Sequence, residues 1–367
     1  MTSGAENFDI IVVGGGPAGC ATAIAAGRHN LNVLVLDLGV TPGGCACAGW
    51  LGPAAVAACE ELGIDRSSVG AGFAGLRLRS WDFKECVEVD DADLHGWIVD
   101  PDRLRRALLE ATRASGAQIR QSVTADRLHL GETSATLDLT DGSSVAGQVV
   151  IIADGASSRT ASMAQLRAVQ WTETSCAAAL GVLDVEPGED SLDVVLGAGR
   201  ALKLAAIARS GHQVRASLMT HDRSTPPTQQ LDALLHAAKE TAVIPATDEI
   251  RSIATPCLAG AALEIETHVG KRSLVVGDAG GFVAAFSGEA LYPALRSGWL
   301  AAETAAKALQ APVFQDELAL FGATWRADLA DYLRMPNTDL GLLMPMVFKN
   351  PQMSKRVASA FLLGRAL

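Results

Sequence analysis

The chain has 367 residues, about half of them hydrophobic and only 19% charged, with 41 acidic against 30 basic side chains and a net charge of −11. That length and apolar content exclude a disordered chain and allow about two domains with cores that need neither disulfides nor metal. The acidic balance excludes nucleic acid as the main partner, because phosphate binding needs a basic surface.

In chain order, Met1–Asn7 is short and polar, without the positive start and long apolar run of a secretory signal, so no leader is expected. Phe8–Val13 is a nearly continuous apolar run ended by glycine, the pattern of a buried parallel strand. Pro17–His29, rich in small helix-forming alanines, predicts a helix, and Asn32–Leu36 a second buried strand. Gly75–Val89 alternates loosely and reads as one or two strands. Pro101–Ser115 places Leu104, Ala107, Leu108 and Ala111 at helical spacing, with Gly116 as a stop. Asp141-Gly142 predicts a hairpin turn between Ser134–Leu139 and Val145–Ala153. Cys176–Thr220 reads as antiparallel strands turning at Ser210-Gly211-His212, and Gln229–Val243 as a helix. Ser273–Val276 returns to the buried parallel type, and Glu289–Leu309 predicts a long alanine-rich helix. No run of about 18 apolar residues occurs, so no transmembrane helix is expected.

Parallel-strand signals lie at both ends, with antiparallel signals between them. The expected fold class is α/β plus an antiparallel sheet. A Rossmann domain (1–74, 98–170 and 268–312) is interrupted by a substrate-binding sheet domain (75–97 and 171–267), and 313–367 forms a helical C-terminal segment. Seven cysteines, an odd number with no C-x-x-C pair, fit the reducing cytoplasm better than a secreted scaffold.

Gly14-Gly15-Gly16-Pro17-Ala18-Gly19 satisfies G-x-G-x-x-G between a strand and a helix, the setting that a dinucleotide site requires. Gly14 permits the tight turn, Gly16 lets a pyrophosphate approach the backbone, and Gly19 lets helix and sheet pack closely. Pro17 and Ala18 open a helix whose unpaired N–H groups suit phosphate. Asp37, at the end of the second strand, is placed to accept ribose hydroxyls. At this point NAD and FAD are both open.

Two distant segments bear on the choice. Val149–Ile152 leads into Ala153-Asp154-Gly155-Ala156-Ser157-Ser158-Arg159, and Ser273–Val276 leads into Gly277-Asp278-Ala279-Gly280-Gly281-Phe282. With the glycine fingerprint, these resemble the three flavin-binding signatures of the glutathione-reductase-like FAD superfamily of flavin hydroxylases, flavin halogenases and geranylgeranyl reductases. The stretch Ser287-Gly288-Glu289-Ala290-Leu291 followed by Ser297-Gly298 is most similar to the geranylgeranyl reductases. The resemblance implies a glutathione-reductase-type FAD domain, with FAD held by Gly14, Gly16, Pro17, Ala18, Gly19, Asp37, Gly44, Asp154, Gly155, Gly277, Asp278, Ser287 and Gly288. Asp278 would lie on the ribityl–pyrophosphate side, and Ser287 would cap the helix that follows it. Aromatic hydroxylases usually carry a histidine where Gly280 stands.

No second G-x-G-x-x-G precedes a helix, so NAD(P)H would dock transiently as electron donor. Cys45, after a glycine pair, is a candidate proton donor or substrate contact, and Glu289 is a second candidate catalytic residue. Cys45 and Cys47 are too close to form an unstrained redox disulfide. Trp50, Phe286 and Leu204 are candidate substrate contacts. Leu202, Leu204, Ala206 and Ala208 alternate as an apolar sheet face. The seven histidines are scattered, and none pairs at metal-ligand spacing, so no metal is expected.

The expected activity is two-electron flavin chemistry on a hydrophobic small molecule, reducing C=C as the geranylgeranyl reductases do. The stretch 199–207 lacks their aromatic residues, which leaves hydroxylation of an aromatic or polyketide-like substrate as an alternative. A third reading is a flavin-binding protein that modifies another polypeptide. Residues 340–367 carry four basic and no acidic side chains, and Leu340–Phe348 is strongly apolar. That segment could roof the pocket or touch a membrane surface or a protein partner.

Overall fold

The structure is a computed structural model that describes residues 6–39, 48–166, 176–197, 203–220, 222, 224–245, 251–336, 338, 340–365 and 367. In chain order the elements are β1 (Glu6–Val13), α1 (Pro17–Arg28), β2 (Val33–Asp37), β3 (Trp50–Leu51), α2 (Pro53–Glu61), α3 (Arg66–Val69), β4 (Gly70–Phe73), β5 (Leu76–Ser80), β6 (Cys86–Val89), β7 (Gly96–Val99), α4 (Pro101–Ala114), β8 (Gln118–Gln121), β9 (Ala125–Leu130), β10 (Ala135–Leu139), β11 (Ser144–Ile152), α5 (Arg159–Met163), β12 (Cys176–Gly197) and β13 (Lys203–Thr220). They continue with α6 (Pro227–Glu240), β14 (Arg251–Cys257), β15 (Val269–Gly270), β16 (Ser273–Val275), α7 (Leu291–Ala308), α8 (Phe314–Ala319), α9 (Phe321–Leu333), α10 (Leu340–Val347) and α11 (Pro351–Leu363). No helix among the described residues is long and apolar enough to cross a membrane.

The mixed α/β architecture expected from the sequence is present. The parallel core runs β16-β11-β1-β2-β8, with β15 antiparallel at one edge and the β9–β10 hairpin joined to the first half of β11. Side chains alternate across it. Ile10, Val12, Val149 and Ile151 face the helix side with α1, α7 and α9, while Ile11, Val13, Val150 and Ile152 face the hairpin with Leu137 and Leu139. Burial on both faces is why these strands are unbroken apolar runs.

Gly298 lets α7 touch α1: a Cβ there would sit 2.1 Å from the Ala18 carbonyl oxygen. Thr22 seals the contact, its hydroxyl donating to the Ala18 carbonyl (2.9 Å) and the Gly298 carbonyl (3.1 Å).

The second sheet runs β13-β12-β5-β6, with β14 on the other edge of β12. One face (Leu76, Leu78, Leu192, Val194, Leu196, Leu204, Ala206, Ala208) packs on α11 through Val357, Phe361 and Leu362. The opposite face packs on α6 through Leu231, Leu234 and Leu235. A small sheet, β3-β7-β4, lies in the segment between the two large ones and places Trp50 opposite Ile98.

Two local expectations are corrected. Ser210-Gly211-His212 is not the hairpin turn. β13 continues through it, with Gly211 opposite Gly188 at a register irregularity and a φ of +53°. Glycine between polar residues reads as a turn, but here it accommodates a kink inside a long strand. The long helix also begins at Leu291, two residues later than expected. Leu202 lies outside the described residues.

Because the α1–α7 contact is backbone against backbone, Gly298→Ala should destabilise the fold by about 1–3 kcal/mol through overpacking. Chemical denaturation of the two proteins, compared at their midpoints, checks this.

Candidate active site

Three glycine-bearing turns meet at the C-terminal ends of β1, β11 and β16, the end of a parallel sheet where ligands bind. Gly14, at φ +114°, lies so close to β11 that a Cβ would be 2.2 Å from the Ala153 carbonyl oxygen. Gly277 packs on Ala18, and its N–H donates to the Ser297 hydroxyl on α7 (3.0 Å). Together they bring Gly14–Gly19, Asp154-Gly155 and Gly277-Asp278 into one crevice.

Residue features there fit a dinucleotide. A Cβ on Gly16 would meet nothing within 4 Å, so open space lies against that backbone. Gly16 is the N-cap of α1 and makes no side-chain cap bond, so the first N–H groups of the helix remain available to an anion. Asp278 has no side-chain partner among the described residues, and burial pushes its carboxyl up to about 6. Asp154 is different. Its carboxylate accepts from the Ser158 hydroxyl and the Thr160 N–H, fixing its own turn, so Gly155, with nothing within 4 Å of its Cβ position, is the part open to a ligand.

Asp37 ends β2, buried against Gly15, and pairs through Oδ2 with Arg105 Nη2 (2.7 Å) while Oδ1 accepts from the Gly39 N–H (3.2 Å). Arg105 was not legible in the sequence. It lies on α4 one turn past the Asp100 cap and Pro101. A carboxylate has about four acceptor positions, so Asp37 keeps room for ribose hydroxyls.

The loop 284–289 is pinned to its surroundings. The Ala285 N–H donates to the Leu333 carbonyl (3.0 Å), and the Ala284 N–H to the Glu289 carbonyl (2.8 Å). Ser287 does not cap α7, as the sequence suggested. Its hydroxyl accepts from the Glu289 N–H (3.2 Å), because the turn at Gly288 leaves it upstream of the helix start, and Ala290 occupies the N-cap.

Glu289 takes the capping role instead, accepting from the Tyr292 N–H (2.9 Å) through Oε1 and from the Tyr332 hydroxyl (3.1 Å) through Oε2. The two tyrosine rings meet edge to face at 4.9 Å. Burial pushes the Glu289 carboxyl up to about 7; its hydrogen bonds oppose the rise and Asp278 adds to it.

Gly280, the position of the hydroxylase histidine, is served by a histidine from elsewhere. His268 Nε2 lies 2.8 Å from the Gly280 carbonyl oxygen, between Phe282 and Trp325. Burial holds its imidazole down at about 4, so the neutral ring donates through Nε2.

Trp50, Phe286 and Leu204 do come together, in one buried cluster. Phe361 of α11 completes it, with ring centroids 4.7 Å from Trp50 and 6.4 Å from Phe286. Gly44 and Cys45 lie outside the described residues.

Residues 8–269 match the model of the pyridine nucleotide-disulphide oxidoreductase family, and the chain belongs to that family of flavin-dependent oxidoreductases. It is 32% identical over 160 residues to the menaquinone reductase of Mycobacterium tuberculosis, covering 42% of this chain and 39% of that protein. It is 31% identical over 156 residues to the rifampicin monooxygenase of Streptomyces venezuelae, covering 40% of this chain and 32% of that one. The matches thus span about two fifths or less of the curated relatives. In fold it is similar to a geranylgeranyl bacteriochlorophyll reductase-like protein from Thermoplasma acidophilum, at TM-score 0.73 and 16% identity over 98% of this chain and 89% of the other.

Glu289 has an ordinary value of 4.5 and a folded value of about 7. Between those values the unfolded chain releases the proton before the folded one, so folding stability falls as pH rises through this window. Glu289→Gln should not share that fall. Its stability relative to the parent should improve by up to about 3 kcal/mol from pH 4.5 to pH 8, read from denaturation curves at each pH.

Proposed function

We propose that the chain uses bound FAD for two-electron reduction of a carbon–carbon double bond in a hydrophobic small molecule. The observation that carries this reading is the gathering of Trp50, Phe286 and Leu204 beside the loop 284–289, which offers a ligand an aromatic and aliphatic wall. The menaquinone reductase relative supports an apolar, quinone-bearing substrate class.

In this reading the Gly16 cradle and the start of α1 hold the pyrophosphate, and Asp37 holds the adenosine ribose. Asp278 lies on the ribityl side. Bound FAD supplies the two-electron transfer. Glu289, raised to about 7 and tied to Tyr332, can hold or release a proton at neutral pH. NAD(P)H would dock transiently as donor, since the sequence carries no second glycine fingerprint. α11, tied to the sheet side by Lys355–Asp91 and Arg365–Asp93, closes the apolar cluster and keeps water from it.

A monooxygenase is the second reading. It is favoured by the rifampicin monooxygenase relative and by the absence of aromatic residues in 199–207.

The purified protein should be yellow, and Asp37→Ala should weaken FAD retention about tenfold through loss of a charged acceptor. Reduced anaerobically and mixed with a menaquinone, the FAD-loaded protein should yield a product two hydrogens heavier without oxygen. Product formed only with labelled O₂, and carrying the label, would establish the monooxygenase reading instead. Retention of FAD with no turnover of any apolar substrate would sink both.

A further inference from the structure

The substrate sheet has a second concave surface, on the side away from the apolar cluster. Along β12 and β13, Leu192, Val194, Leu204 and Ala206 point toward Trp50 and α11. Alternation sends Asp193, Ile207 and Arg209 to the other face, where Arg77 and Arg79 of β5 join them. These residues line a pocket of about 400 Å³, closed at one end by Thr241–Ile244 after α6.

The arginines are not equivalent. Arg77 is engaged as a fork, donating through Nε (2.9 Å) and Nη2 (2.7 Å) to the buried Asp193 and through Nη2 to the Ser191 hydroxyl (2.8 Å). Arg79 reaches Asp193 through Nε, and no partner of its terminal nitrogens is found among the described residues. Arg209 makes no hydrogen bond or ion pair with any described residue. Its guanidinium lies beside Gly188.

Two acidic groups line the pocket. Asp193 balances one arginine, and Glu189 stands exposed in water at the rim, where its field is screened. Glu88 lies opposite Arg77 on the edge strand, outside the pocket. The pocket therefore keeps an excess positive charge in a chain of net −11. The helix end does not oppose an anion strongly, because the carbonyls of Ala237, Ala238 and Lys239 already accept from the N–H groups of 241–244.

We propose that this pocket binds the phosphate group of a small organic phosphate, with Arg209 and Arg79 as its principal donors. Two guanidiniums with free terminal nitrogens match an anion with several acceptor oxygens. The volume exceeds that of a bare phosphate, and Ile207, Val214 and Ile244 give an organic body an apolar floor. Asp193 is a positioning residue that holds Arg77 and Arg79 in place. This inference does not rest on the reaction assigned above.

The test is calorimetric titration of the FAD-loaded protein with phenyl phosphate, inorganic phosphate and benzoate, so that the pyrophosphate site is already filled. Phenyl phosphate should bind at one site per chain, more tightly than inorganic phosphate or benzoate, and more weakly as salt is raised. Arg209→Ala should weaken it at least about tenfold with the flavin spectrum unchanged, and Glu189→Gln should tighten it. If Arg209→Ala does not fold, Arg209→Gln replaces it. Absence of saturable binding below about 10 mM, equal binding of benzoate, or unchanged affinity in the Arg209 variant would each overturn the proposal.

Discussion

The nucleotide end of this molecule depends on three backbone contacts too close for any side chain. Gly14 lies on Ala153, Gly19 on Gly14, and Gly298 on Ala18. These contacts join strands β1 and β11 and helices α1 and α7, segments far apart in the chain. Once they are made, α7 has one position, its Ser297 hydroxyl holds the Gly277 turn, and the crevice over the sheet has its shape. The chemistry of the site follows from geometry that only missing atoms permit.

A second layer of constraint links that crevice to the end of the chain. α11 terminates at Gly364, which lies so near the Tyr332 ring that a Cβ would approach within 2.4 Å. The same tyrosine's hydroxyl holds Glu289, and Glu289 in turn holds the first turn of α7. The last helix thus shares a side chain with the loop that borders the flavin end. The same helix fills the apolar face of the substrate sheet.

The parts of the fold readable in the sequence were those written locally. Continuous apolar runs gave the parallel strands, and glycine spacing marked the crevice, because both patterns act over a few residues. Contacts made across the chain were hidden. Arg105 meets Asp37 from 68 residues away, and α4's periodicity assigns that arginine only to a polar face. Tyr332 and Glu289 are 43 residues apart, with nothing in either neighbourhood to announce the pair. The most apolar C-terminal run, Leu340–Phe348, drew attention as the closing segment. The most deeply buried residues there, Val357, Phe361 and Leu362, belong to α11, where intervening polar residues dilute the signal. Ser287 was misjudged because a serine before a helix looks like a cap until the turn at Gly288 is seen.

The crevice draws on Gly14 at one end of the chain and on Asp278 and Gly298 near the other. During synthesis, therefore, the fingerprint emerges early but has nothing to close upon until α7 has left the ribosome. The second sheet waits longer still, since its apolar face is covered only by α11. Such late, non-local closure is intrinsically slow and leaves unfinished surface exposed to other chains in the meantime. Biogenesis of this protein is thus governed by its last residues, and a chain cut short after β16 would display a nucleotide motif without possessing a nucleotide site.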